Sequence, residues 1–223
     1  MIHSNLQRND KTKPVLLIDF DQTIRNGGGT NGKIIRVLYE VLNERGMDEK
    51  TIQRISHQAT REKRYGTYNY ILSLCGKDVK EFNEMCSEIF NRVDYSNVRR
   101  DEKLFKLLKK ASKKYNLYIL TNSHRTHVDI CCKILFGVGI DDMEFIKCFD
   151  ITETYENGRF LRKQDENGLE KVCERIEANM SECILIDDNK GNIITAKSKG
   201  MRAIHVKKNK LTLHHILKVL NNI

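Results

Sequence analysis

The sequence predicts an α/β fold built on a parallel sheet, and three features carry that expectation. Short unbroken apolar runs end in acidic or hydroxyl residues, and segments of helical period separate them. About a hundred residues of mostly helical character also part the first run from the second, far more than one crossover needs.

The first run, Pro14 to Asp19 (PVLLID), suits a buried parallel strand because it is apolar without alternation. Three further runs share that form: Leu117 to Thr121, Cys183 to Asp187 and Ala203 to Val206. Between the first two, Ile34, Val37, Leu38 and Val41 fall at helical spacing, as do Phe82, Met85, Cys86 and Ile89. The expected organisation is an α/β core formed by residues 1–25 and 100–223, with an inserted helical unit over 26–99. Its linkers are expected near Asn26 to Asn31, where Gly27 to Gly29 form a hinge or turn, and near Val93 to Asp101. A further helix is expected around Leu104 to Lys113.

Composition excludes several classes. No apolar run approaches the roughly 18 residues of a membrane span, so no membrane partner is expected. The amino-terminal MIHSNLQRNDKTK lacks the apolar stretch of a secretory signal, and a cytoplasmic protein is expected. Seven cysteines are scattered through apolar segments with no C-x-x-C pair, which reads as reduced core thiols. The net charge of +9 is distributed along the chain, so a solvated basic surface is expected in preference to a nucleic-acid interface.

The chemistry gathers where strands end. Asp19-Phe20-Asp21-Gln22-Thr23 closes the first, Thr121-Asn122-Ser123 the second, and Asp187-Asp188-Asn189 that of Cys183. In an open parallel sheet ligands bind beyond the carboxyl ends of the strands, so these carboxylates, hydroxyls and amides converge on one site. Of two carboxylates one residue apart, one can attack phosphorus while the other shuttles a proton. Clustered carboxylate oxygens are hard ligands suited to Mg²⁺, which would relieve repulsion among Asp19, Asp21, Asp188 and an anionic substrate. An acidic turn is the competing reading of D-x-D-x-T alone. His124 and His127 are three residues apart, and with no third ligand in reach a surface role is expected for both. His205, His214 and His215 read as structural.

Together, DFDQT after a hydrophobic strand, ILTN, Lys163 and ILIDDNKGNI resemble the four motifs of the haloacid dehalogenase superfamily, in order, across residues 14 to 206. The resemblance implies a Rossmann-like core with a helical cap, and Mg²⁺-dependent phosphomonoester hydrolysis through an aspartyl-phosphate. It implies Asp19 as nucleophile, Asp21 as general acid/base, Thr121 as phosphate binder and Lys163 as anchor of phosphate and nucleophile. Asp188 would be a metal ligand together with Asp19 and the backbone carbonyl of Asp21, with Asp187 close by as a second-shell or alternative ligand. Gln164 stands where the family commonly has proline after its lysine, which leaves Arg162 as a rival to Lys163, and an exposed helix-start lysine as the structural alternative.

The stretches YGTYNYI, IDDNKGNI and KGMRAIHV resemble the pyrimidine 5′-nucleotidase branch, so a small phosphorylated substrate of nucleotide type is expected. Tyr65, Thr67 and Tyr68 are the cap candidates for contacting base or sugar, with cap core the competing reading; Asn122 is the candidate amide at the core. A sugar-phosphate phosphatase, a phosphomutase, a polynucleotide end phosphatase and a non-catalytic protein of the same fold are the alternatives.

Overall fold

The computed structural model describes residues 9–26, 30–54, 66–165, 167–207 and 210–222. In chain order the first half contains β1 (Val15–Ile18), α1 (Thr30–Glu44), α2 (Gly66–Leu74), α3 (Val79–Arg92) and α4 (Glu102–Ala111). Residues 49–54 are also helical. There follow β2 (Asn116–Leu120), α5 (Arg125–Phe136), β3 (Lys147–Phe149), β4 (Tyr155–Glu156) and β5 (Arg159–Phe160). The chain closes with α6 (Gly168–Arg175), β6 (Cys183–Asp187), α7 (Lys190–Ser198), β7 (Arg202–His205) and α8 (Leu213–Asn222).

Five strands form one parallel sheet in the order β3-β2-β1-β6-β7. β1 lies at its centre, and all four of its residues are buried, as the unbroken apolar run requires. Strand side chains alternate between faces, and the core divides accordingly. Leu16, Ile18, Leu117, Ile119, Ile184 and Ile186 enter one apolar cluster; Val15, Leu17, Tyr118, Leu120, Cys183 and Leu185 enter a second. The first cluster continues without a break into Val37, Leu38, Val41, Phe82, Met85, Cys86 and Ile89, so the helices between β1 and β2 bury their periodic faces on the core. Truncating the fully buried Phe82 to alanine costs about 3–5 kcal/mol at such a position.

Helix ends follow the local chemistry. Asp78 caps α3 by accepting from the Lys80 and Glu81 amides, and Asp101 caps α4 by accepting from Leu104. α5 starts at an unusual cap: Nδ1 of His124 accepts from the Thr126 amide at 3.2 Å, which leaves the ring proton on Nε2 to donate to Asn83 Oδ1 at 3.0 Å. This last bond ties α3 to α5.

Two elements depart from the sequence expectation. β3 is only three residues long, too short to show a period. The β4–β5 hairpin turns on Asn157 and Gly158, both at positive φ (50° and 78°), the asparagine-glycine signal of a two-residue hairpin. Asn69 of α2 grips this hairpin like a neighbouring strand: its Nδ2 donates to the Phe160 carbonyl (2.9 Å) and its Oδ1 accepts from the Phe160 amide (2.6 Å). All seven cysteines are buried and unpaired, as expected. Among the described residues no helix is long and apolar enough to cross a membrane. The Gly27–Gly29 turn expected from the sequence lies outside the described residues.

Candidate active site

The order of the sheet reverses around β1, and there the strand ends bring the charged residues together. Leu17 pairs with Leu185 and Ile18 with Ile186, and the Asp19 amide extends the ladder by donating to the Ile186 carbonyl at 2.8 Å. That register sets Asp19 beside Asp187. Lys163 arrives from the segment after β5 and joins them: its Nζ donates to Asp19 Oδ1 (2.5 Å), to Asp187 Oδ2 (2.6 Å) and to the Leu120 carbonyl (3.2 Å). An ammonium has three donors, and all three are used.

Lys163 is buried, neither exposed nor at a helix start, and it reaches Asp19 where Arg162 does not. Arg162 instead pairs with Asp165, its Nη2 lying 2.9 Å from Oδ1. Asn122 holds the lysine segment in place, its Oδ1 accepting from the Lys163 amide (3.0 Å) and its Nδ2 donating to Gln164 Oε1 (3.1 Å). On the other side Gly168 lies so close that a Cβ there would sit 2.0 Å from the Arg162 carbonyl oxygen. Only glycine permits that approach.

Burial alone would lower the Lys163 pKa, but Asp19 and Asp187 more than offset it and hold the ammonium protonated. Burial raises the Asp19 pKa, and Lys163 pulls against it. Burial and then Asp187 raise the pKa of the half-buried Asp188. One cation thus faces three carboxylates, and the site carries excess negative charge. Asp19, Asp187 and Asp188 each bring an oxygen within 4.8 Å of the others. Their freedom differs. Both Asp187 oxygens are committed, Oδ1 to the Asn189 amide and Oδ2 to Lys163 and Asn192 Nδ2. Asp19 Oδ2 is buried with no hydrogen-bond partner. A buried carboxylate oxygen left bare beside a second open carboxylate, Asp188, is a donor set that fits a hard cation such as Mg²⁺. The Asp188 carbonyl is in turn fixed by His205, whose Nε2 donates to it at 2.8 Å.

Asp21 faces elsewhere. Its Oδ1 accepts from Arg25 Nε at 2.7 Å and from His127 Nε2 at 3.1 Å. Burial would raise its pKa, but His127 and Arg25 together bring it down to about 2, so the carboxylate stands ionised. The tight loop that presents it holds Gln22 at a φ of 66°, unusual for a residue with a Cβ. The surface role expected for His124 and His127 is overturned: they are 4% and 1% exposed. His127 packs against the rings of Phe20, Phe90 and Tyr95, and His124 stacks on Phe90, because the α3 side of the molecule covers the start of α5.

Thr121 is buried, and its Oγ1 accepts from the Ser123 amide at 3.0 Å. Ser123 Oγ shares a 2.9 Å hydrogen bond with the Tyr68 hydroxyl, which brings α2 to the edge of the site. The Tyr68 ring stacks on Phe90 and meets Phe82 edge-on, an arrangement of packing as much as of display. Thr67 is half-buried on α2, and Tyr65 lies outside the described residues. A cleft of about 270 Å³ opens beside Asp188, lined by Gln22, His205, Val206 and Lys207. Sequence reading missed Arg25, Tyr95 and the site-facing part of His127, because their signal is a fold contact and no local motif carries it.

Residues 16–206 match the sequence profile of the haloacid dehalogenase-like hydrolases. Among solved structures, CbbY from Rhodobacter sphaeroides in complex with xylulose-(1,5)bisphosphate is similar at a TM-score of 0.57 and 12% identity, over 88% of this chain and 87% of that one. A magnesium complex of the haloacid dehalogenase family enzyme bt-2542 from Bacteroides thetaiotaomicron is similar at 0.52 and 19%, over 89% and 96%. At these identities the likeness is one of fold.

Proposed function

The chain belongs to the haloacid dehalogenase-like hydrolases, and on that premise we propose that it is a Mg²⁺-dependent phosphomonoesterase acting through an aspartyl-phosphate on Asp19. The observation that carries the reading is the buried contact of Lys163 with Asp19 and Asp187 beside an Asp19 oxygen that no protein group satisfies. A lysine so placed orients the carboxylate and favours its ionised form for attack.

Asp19 attacks phosphorus in line, forming the acyl-phosphate bond as the ester P–O bond breaks. Asp21 delivers a proton to the departing alkoxide, then removes one from the water that attacks the acyl-phosphate. Inorganic phosphate leaves and Asp19 is restored. The Thr121 hydroxyl receives a phosphoryl oxygen, and the positive charge of Lys163, held on Asp19 and Asp187, offsets the phosphoryl charge. Asp19, Asp188 and the Asp21 backbone carbonyl would hold Mg²⁺, which would supply further charge neutralisation for the phosphoryl group. An incoming phosphate dianion raises the proton affinity of Asp21, which both proton transfers require.

The inserted unit of residues 26–99 acts in this reading as a cap that excludes water and selects the leaving group, with Tyr65, Thr67 and Tyr68 as its substrate contacts and Asn122 as the contact from the core. The Tyr68 hydroxyl beside Ser123 supports that assignment. The substrate class is nucleoside 5′-monophosphates, pyrimidine in preference, supported by the YGTYNYI and IDDNKGNI stretches. The test is a panel of nucleotides, sugar phosphates and end-phosphorylated oligonucleotides with and without Mg²⁺. Higher kcat/KM for a sugar phosphate than for every nucleotide would remove the nucleotide assignment and leave the phosphatase; no hydrolysis of any ester would remove both.

A further inference from the structure

We propose that Tyr95, His127 and Arg25 are positioning residues that hold Asp21 by one carboxylate oxygen and so aim the other at the leaving group. The proposal rests on the phosphatase reading above and deepens it.

The geometry is a chain. Tyr95 OH lies 3.0 Å from His127 Nδ1, and His127 Nε2 lies 3.1 Å from Asp21 Oδ1. An ionised carboxylate only accepts, so the ring proton on that side sits on Nε2; in the neutral ring Nδ1 is then the acceptor, and the Tyr95 hydroxyl is its donor. Arg25 adds a second donor to the same oxygen, Nε to Oδ1 at 2.7 Å. Two donors from different directions fix the plane and rotation of the carboxylate, while Oδ2 receives no protein donor among the described residues.

Burial separates this arrangement from a structural ion pair. The side chains of Arg25 and His127 are 3% and 1% exposed, whereas that of Asp21 is 36% exposed. Two buried donors anchor the carboxylate from its buried side, while about a third of its own side chain stays open to solvent, the side from which a leaving group can be reached. The donors are themselves immobile. His127 is wedged among Phe20, Phe90 and Tyr95, with ring centroids 5.8, 5.3 and 5.6 Å away, and Tyr95 lies just past the end of α3. The proton-transfer oxygen is thereby referenced to the helical insert as well as to the sheet.

Leaving-group chemistry tests this. An alkoxide needs a proton from Asp21 to depart, but p-nitrophenolate does not. In single turnovers with Mg²⁺, His127→Leu should slow alcohol release from an alkyl phosphate about tenfold to a hundredfold and leave p-nitrophenol release from p-nitrophenyl phosphate within about threefold. His127→Gln, whose amide can occupy the place of Nε2, should recover most of the alkyl rate. Should the leucine variant not fold, Tyr95→Phe removes a single hydroxyl and should show the same selective loss more weakly. Independently of turnover, nitrogen NMR should find the His127 proton on Nε2. Equal losses on both esters, no loss on either, or a proton on Nδ1 alone would overturn the proposal. A wild-type chain that hydrolyses neither ester would sink the phosphatase reading, and this proposal with it.

Discussion

Lys163 and Asp19 meet through a 2.5 Å contact between Nζ and Oδ1, with both side chains buried. Asp187 accepts from the same ammonium, so removing it strands two adjacent carboxylates away from water. Lys163→Met should therefore cost roughly 3–5 kcal/mol of stability in metal-free buffer, read by urea unfolding at neutral pH. A cost under about 1 kcal/mol would mean that the three groups are not an ionic cluster.

Asp19→Asn keeps the shape of the side chain but not its nucleophilicity. No acid-stable phosphorylated protein should form, and turnover should disappear in a variant that still unfolds cooperatively. Phosphatase activity persisting at more than about a thousandth of wild type would assign the attack to another group.

Metal removal addresses the bare oxygen of Asp19. EDTA should abolish hydrolysis and Mg²⁺ restore it; Mg²⁺ should also raise the thermal midpoint, since a ligand of the folded state alone stabilises that state. Asp188→Ala should weaken both responses. A thermal midpoint insensitive to Mg²⁺ would argue against a site at Asp19 and Asp188.

His124 gives a pH dependence with a definite sign. Burial, then His127 and Arg125, lower its pKa from 6.5 to about 4. Between those values the unfolded chain binds a proton that the native ring does not, so stability is fully present above the upper value and is lost as pH falls through the window. The loss should amount to about 3 kcal/mol at the lower end. His124→Asn retains a capping side chain and removes the titration, so unfolding midpoints of the two proteins should converge on acidification. Parallel curves across the window would refute the assignment.

Gly168→Ala probes the support of the lysine. Its Cβ would sit 2.0 Å from the Arg162 carbonyl, and the backbone must give way next to Lys163. A loss of about 1–3 kcal/mol is expected, together with a fall in kcat beyond what the unfolded fraction explains. Unaltered kcat in a fully folded variant would show that the segment absorbs the shift without moving Lys163.

Much of the site could be read in the sequence because its chemistry sits at strand ends, where an apolar run stops at a carboxylate or hydroxyl. Asp19, Thr121 and Asp187 are of that kind, and so is the central position of β1, announced by four unbroken apolar residues. Lys163 was harder to fix against Arg162. The choice depends on Asn122 and Gly168 holding the segment from two sides, and neither contact leaves a local pattern. His124 and His127 were misplaced for a related reason. Helical spacing shows that they share a face, but what covers that face, Phe82 and Phe90 of α3, lies more than thirty residues earlier in the chain. β3 leaves no sequence signal because three residues are too few to carry a period, whereas Asn157-Gly158 is itself a local hairpin signal.

The placement of β1 between β2 and β6 also sets a timetable for synthesis. Val15 must find Asn116 on one side and Cys183 on the other, partners that leave the ribosome long after it. At about 5–20 residues per second, the nascent chain carries an unpaired apolar strand for several seconds or more, during which it is a target for chaperones and for aggregation. Asp19 emerges with that strand but meets Lys163 and Asp187 only when most of the chain has been made. A ribosome stalled before Cys183 would therefore hold a chain whose helices between β1 and β2 are already synthesised while Asp19 still lacks Asp187, and release of such a fragment would yield a polypeptide with a sticky edge.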